Sequence, residues 1–246
     1  MTAVILRDMR SRFFNHGLGF LVVSLWPLAH MIILIGVYAV MGRKAPYGDS
    51  LSVFIATGLI PTLAFSYVAR FMSISLLINR TMLSFPIVTV TDIMMARAFL
   101  ETIAAALTLL FMFVILIAAG ENPFPVDPFE AVYAYLATIL LAVGCGFVAG
   151  VITMFLPLFA TIFGLSMIIV YMASGTLFVT ASLPEPIAYA FSWNPAFHAV
   201  EWMRLAYYPG YSDKWLDKTY LISYGAVSLC IGLLLERMLR MKMREG

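Results

Sequence analysis

From Ala131 to Pro184 the chain contains no Asp, Glu, Lys or Arg. That run is more than twice the length of about 20 apolar residues that carries an α-helix across a hydrocarbon core of about 30 Å. In water, helices this apolar would have to bury every face. A chain of 246 residues that is 63% hydrophobic and 11% charged lacks the polar surface to cover such a core. In lipid the same run is stable as helix, because each backbone N–H and C=O is satisfied inside its own segment. The fold class is therefore all-α integral membrane. Proline has no N–H to continue a helix, so a tight turn near Leu156 and Pro157 is expected to divide the run into spans at 131–155 and 158–181.

Four more stretches are long and poor in charge: 18–41, where Pro27 and His30 punctuate the helix, 51–70, 93–120 and 219–236. Together they predict about six transmembrane helices in a single domain over 1–246. The connections differ in character. Arg43, Lys44 and Asp49 mark a short polar turn, and Glu121 to Glu130 is a loop rich in acid and proline. Residues 76–92, with Asn79, Arg80 and Pro86, are too polar and broken to cross. Residues 185–215 are dense in aromatics and too long for a simple hairpin, so short re-entrant or periplasmic helices are expected before the sixth span. On a helical wheel, Ile5, Leu6, Met9 and Phe13 oppose Arg7, Asp8, Ser11 and Asn15, which predicts an N-terminal interfacial amphipathic helix over 1–15. Arg7, Arg10 and Arg12 before an apolar run also suggest a signal peptide, but the run is too long and has no small-residue cleavage site, so it is expected to remain. Most of the 15 Lys and Arg fall in the N-terminal segment, the connection around Arg70, Arg80 and Arg97, and the tail from Arg237 to Arg244. The excess of positive charge on one side predicts that both termini are cytoplasmic.

Several chemistries are excluded. A P-loop needs glycine before its lysine so that backbone amides can cradle phosphate, and no lysine here follows a glycine. His16, His30 and His198 are far apart, with no His-Glu-x-x-His and no Gly-x-Ser-x-Gly, so neither a metal site nor a hydrolase is expected. A net charge of +2 without a basic stripe argues against nucleic acid. Cys145 and Cys230 sit in apolar stretches without metal-ligand spacing and are expected to pack as small residues. The chain is thus expected to be no enzyme.

What remains is a short set of polar and small residues in apolar surroundings. Arg97 and Glu101 are four apart on one helical face and form either a paired anchor or the wall of a charged substrate's entrance. Gly146 and Gly150 allow close helix approach, within the subunit or at a dimer seam. In 185–215, Trp193, Trp202, Tyr207 and their aromatic neighbours stand beside His198, Glu201 and Arg204. They fit an aromatic belt at the membrane surface, or rings that stack on sugar faces while Glu201 and Arg204 pair or meet an anionic substrate.

Three stretches carry a family likeness: RDMRSRFFNHGLGFLVVSLWPLAH from Arg7, LLINRTMLSFPIVTVTDIMMARAFLE from Leu76, and LFVTASLPEPIAYAFSWNPAFHAVEWMRLAYYPGY from Leu177. Their shared pattern is Arg-x-x-Arg-x-Arg-Phe, a glycine eight before Pro27, and Asn-Pro-x-x-His-x-x-Glu-x-x-Arg from Asn194. With this order of elements the chain resembles the membrane subunit of type-2 ABC exporters, in particular those for capsular and related polysaccharides. The resemblance implies a permease in the bacterial inner membrane that pairs with a second copy of itself and with a cytoplasmic ATPase dimer. ATP and Mg would be bound by that partner, with no cofactor in this chain. The exported molecule would be a lipid-linked polysaccharide, and periplasmic and outer-membrane export proteins are further candidate partners. By the same likeness, Arg7, Arg10 and Arg12 belong to an interface helix and Asn79, Arg80, Thr81 and Met82 to a coupling helix. The re-entrant aromatic segment would be the extracytoplasmic part holding Trp193, His198, Glu201 and Arg204; with Arg97, Glu101 and Tyr207 from the reading of the residues above, these are the expected path or substrate contacts. Other cargoes (O-antigen, teichoic acid, a small molecule), a self-sufficient channel or carrier, and a non-transport scaffold for a glycan synthase remain alternatives to this reading.

Overall fold

The computed structural model describes residues 19–245 except Pro86, with side chains from 24 to 243. The expected interface helix over 1–15, with Arg7, Arg10 and Arg12, lies outside the described residues. Among the described residues eight α-helices follow one another: α1 (Gly19–Val40), α2 (Leu51–Ile78), α3 (Val90–Ala118), α4 (Pro128–Phe155), α5 (Leu158–Met172), α6 (Glu185–Ser192), α7 (Pro195–Tyr207) and α8 (Lys218–Glu245). There is no strand among the described residues. Among the described residues, four helices are long and apolar enough to cross a membrane: α2, α3, α4 and α8 over Lys218–Met243. Ser24–Val40 of α1 and Leu158–Met172 of α5 are shorter apolar helices.

The helices begin where the sequence supplies a cap. Ser50 accepts from the Val53 amide at 3.2 Å and starts α2. Thr89 and Asp92 bond reciprocally across the first turn of α3. Asp127 accepts from the Phe129 and Glu130 amides ahead of Pro128, where a missing N–H does no harm. The expected turn at Leu156 and Pro157 separates α4 from α5.

Three helices depart from the expected limits: α8 runs to Glu245 instead of 236, and α2 and α5 differ as follows. Instead of stopping at residue 70, α2 runs to Ile78, because only Arg70 interrupts its apolar pattern and Val68, Met72 and Leu76 are buried in register. Instead of reaching 181, α5 stops at Met172, a length of about 22 Å at 1.5 Å per residue. Gly175 takes a φ of 78°, and the chain continues as turns to the 3₁₀ segment Thr180–Ser182. Irregular backbone of this kind survives inside a membrane protein only where other groups satisfy it.

At the centre, α2 packs along α4, and α4 along α8. Gly146 and Gly150 make the first seam: a Cβ on Gly146 would lie 2.7 Å from Met72 Cβ, and one on Gly150 would lie 3.0 Å from the Met72 carbonyl oxygen. This pair therefore serves packing within the subunit. In contrast, α5 buries only Met167 and presents Ile162, Leu165, Ile169 and Met172 outward.

Candidate functional site

Helix α7 starts at Asn194, whose side chain accepts from the Ala196 amide at 3.1 Å and donates to the Val170 carbonyl at 2.9 Å, tying α7 to the end of α5. Three turns later Arg204 is fully buried. Its Nη1 donates to the carbonyls of Gly175 at 2.8 Å and Phe178 at 2.7 Å, and its Nη2 donates to Thr176 at 2.7 Å. The guanidinium lies 4.1 Å from the centre of the Phe54 ring. One side chain thus replaces the helical N–H groups that the irregular segment after α5 lacks. Glu201 Oε1 sits 4.0 Å from Arg204 Nη1 and accepts from Thr180 Oγ1 at 2.8 Å and from the Tyr211 hydroxyl at 2.9 Å. Burial raises the Glu201 pKa, opposed by the Arg204 charge and by those two hydrogen bonds. Both charged groups are buried and engaged by the fold.

Beside this node lies a cleft of about 490 Å³ whose walls include Tyr189, Trp193, His198, Trp215, Asp217 and Tyr220. Trp193 is 66% exposed, and its ring meets Tyr189 edge to face at 6.2 Å. Its carbonyl accepts from the Tyr220 hydroxyl at 2.9 Å. His198 Nδ1 accepts from the Asp217 amide at 3.1 Å, which leaves Nε2 to donate to the Ser192 carbonyl at 2.7 Å. Burial lowers the His198 pKa, against the Ser192 carbonyl, the Asp217 charge and the Trp215 carbonyl. A histidine held neutral stabilises the fold above its ordinary value of 6.5 and loses that contribution as pH falls through the lowered one. Acidification from pH 7 to about 5 should therefore lower the melting temperature of the detergent-solubilised protein, and His198→Gln should flatten that dependence; identical acid sensitivity in the variant would exclude His198 as its source.

A second polar cluster joins α4, α7 and α8. Lys218 Nζ donates to Glu130 Oε2 at 2.7 Å, the Trp202 indole N–H donates to the same oxygen, and the ammonium lies 4.9 Å from the centre of the Trp202 ring. Nothing in the spacing of Glu130, Trp202 and Lys218 announces this meeting of α4, α7 and α8. The Arg43 to Asp49 turn comes to the same end of the molecule, with Tyr47 edge-on to Tyr208 and Tyr211 at 5.4 and 5.2 Å.

Asn79, Arg80, Thr81 and Met82 form the turn after α2, most of it a 3₁₀ segment over Arg80–Ser84. Asn79 Nδ2 donates to the Ser75 carbonyl at 3.0 Å, and Asn79 and Met82 are buried, whereas Arg80 and Thr81 are exposed. Phe85 and Ile87, which the sequence did not single out, are 62% and 91% exposed just beyond. Arg97 Nε and Glu101 Oε1 are 2.9 Å apart and almost completely buried, with the guanidinium 5.2 Å from the centre of the Phe71 ring. Of the expected path residues, the structure brings Trp193 and His198 to one cleft and joins Glu201 to Arg204 behind it. Tyr207 is not with them; it is 9% exposed in an apolar groove with Phe113, Phe124 and Tyr135.

No family model matches the chain. Among curated proteins it is 30% identical over 236 residues to the polysialic acid transport protein KpsM of Escherichia coli, covering 96% of this chain and 91% of that protein. It is 24% identical over 231 residues to the capsule polysaccharide export inner-membrane protein CtrC of Neisseria meningitidis serogroup B, covering 94% of this chain and 87% of that one.

Proposed function

The chain belongs to the family of inner-membrane polysaccharide export permeases that includes KpsM and CtrC, and on that premise we propose that it is the membrane subunit of an ATP-driven exporter of a lipid-linked capsular or related polysaccharide. The observation that carries this reading is the likeness along nearly the full length of both chains. In this reading six helices span the bacterial inner membrane, α1 and α5 among them, with both termini cytoplasmic. The turn around Arg80 faces the cytoplasm, and α6 and α7 face the other side. A second copy completes the path. An ATPase dimer, which holds ATP and Mg, docks at Asn79, Arg80, Thr81 and Met82, and its closure is transmitted through α2 and α3.

The residues support a division of labour. The fully buried Arg204 with Glu201, and Arg97 with Glu101, keep irregular or charged parts of the bundle in one arrangement, so they position the path and do not touch cargo. Trp193 and Trp215 line an open cleft beside hydroxyl, imidazole and carboxylate groups, a combination suited to stacking on sugar faces and bonding sugar hydroxyls. Replacing both tryptophans with alanine should reduce glycan export by about tenfold, the loss expected for one or two stacking contacts, while the complex with the ATPase still purifies. Undiminished export would leave these rings as an interfacial aromatic belt.

A further inference from the structure

A groove of about 300 Å³ runs between α1, α2 and α5, and its lining includes His30, Ser66, Tyr67, Arg70, Gly164 and Tyr171. Three features separate it from the apolar surfaces around it. Arg70 is exposed, and no carboxylate of the described residues pairs with it; it stands about 28 Å along α2, toward the end that leads to the Arg80 turn. Ser66 Oγ and the Tyr171 hydroxyl, both in the lining, are buried atoms without a hydrogen-bond partner. Gly164 gives the space: the position of its missing Cβ is 3.7 Å from Arg70 Nε, so a longer side chain there would enter the groove.

Buried hydroxyls with unmade hydrogen bonds are costly in an apolar wall, and with a guanidinium beside them the groove is arranged for a polar occupant. The planar fork of arginine suits the paired oxygens of a phosphate or carboxylate, and Ser66, Tyr67, Tyr171 and His30 supply donors and acceptors for hydroxyls beside it. We infer that this groove binds an anionic group, phosphate or carboxylate, carried on the exported glycan, with Arg70 as the charge that holds it. This rests on the exporter reading and adds a charge selectivity to it. Arg97 and Glu101 lie one layer behind: Glu101 and Tyr67 line a small cavity of about 30 Å³, and Tyr67 also faces the groove. The buried pair thus backs the wall on which Arg70 stands.

The test uses the complete exporter with its ATPase in nanodiscs of phosphatidylcholine, where no anionic lipid competes. Binding is measured for a sialic acid tetramer, a glycerol phosphate tetramer and, as a neutral control, maltotetraose. Arg70→Gln should weaken binding of at least one acidic tetramer by about tenfold or more, leave maltotetraose unchanged and reduce the salt dependence, with Arg70→Lys recovering part of the loss. Gly164→Leu, which keeps the arginine and fills the groove, should weaken the same ligand, so a folding failure of one variant leaves the other decisive. Equal binding of all three probes by wild type and both variants would overturn the inference. So would a selective loss of phosphatidylglycerol retained from native membranes with acidic tetramer binding intact, since a lipid headgroup would then be the occupant. Failure of ATP-driven transport by wild type alongside intact, Arg70-dependent tetramer binding would sink the exporter reading and leave the anion site standing.

Discussion

Arg80→Glu is expected to abolish glycan export and to cut co-purification of the ATPase at least about tenfold, while the variant chain inserts and folds as wild type does. The expectation rests on how the turn after α2 is built. Asn79 and Met82 face inward and fix it, the first through its bond to the Ser75 carbonyl. Arg80 points outward next to Thr81, Phe85 and Ile87, a cation on an apolar patch at the end of the most buried of the long apolar helices. Reversing an exposed charge disturbs little inside the subunit but puts repulsion into a docking surface, and like charges across an interface cost several kcal/mol. Export measured in cells and pull-down of the tagged ATPase check the two halves separately. Normal export by Arg80→Glu would remove the turn from the coupling role; loss of export with the complex intact would limit the residue to transmitting movement.

Arg204→Ala is expected to have the opposite profile: little folded protein of any kind. The substitution strips the carbonyls of Gly175, Thr176 and Phe178 of their donor in a buried site and leaves Glu201 without the cation beside it. Each buried carbonyl left without a donor costs about 1–3 kcal/mol, so about 3 kcal/mol or more is at stake, a large part of the stability of a domain. Arg204→Lys should recover only a part, since an ammonium cannot span all the carbonyls or lie flat on Phe54. Thermal melting of the detergent-solubilised chain reads this directly. A wild-type melting temperature in Arg204→Ala would mean that water satisfies the segment after α5 and that the arginine is free for another task.

These two residues also mark what can be read from the sequence. The break between α4 and α5 was legible, because Pro157 is local to it, whereas limits read from charge alone put the starts of α3 and α4 at 93 and 131, three residues after the caps Thr89 and Asp127 begin them at Val90 and Pro128. The early end of α5 was not legible. The residue that makes it possible, Arg204, comes two helices later, and nothing in the apolar run to Pro184 signals that its carbonyls find a donor there. Trp193 and His198 were expected together and share a cleft because they are neighbours at the junction of α6 and α7, whereas Tyr207, at the far end of α7, points to another groove. Arg70 looked like the end of a span. The burial of Met72 and Leu76 carries the helix past it, and only the packing of α5 against α2 shows that its side chain stands in a groove.

The central claim is that this chain forms the passage for a glycan and takes its energy from a separate ATPase. Proteoliposomes containing the purified chain, with and without that ATPase and with and without ATP, test it through the movement of a labelled lipid-linked glycan from one leaflet to the other. The account predicts movement only when chain, ATPase and ATP are all present. Movement driven by the chain alone, or ATP hydrolysis by the chain alone, would contradict it.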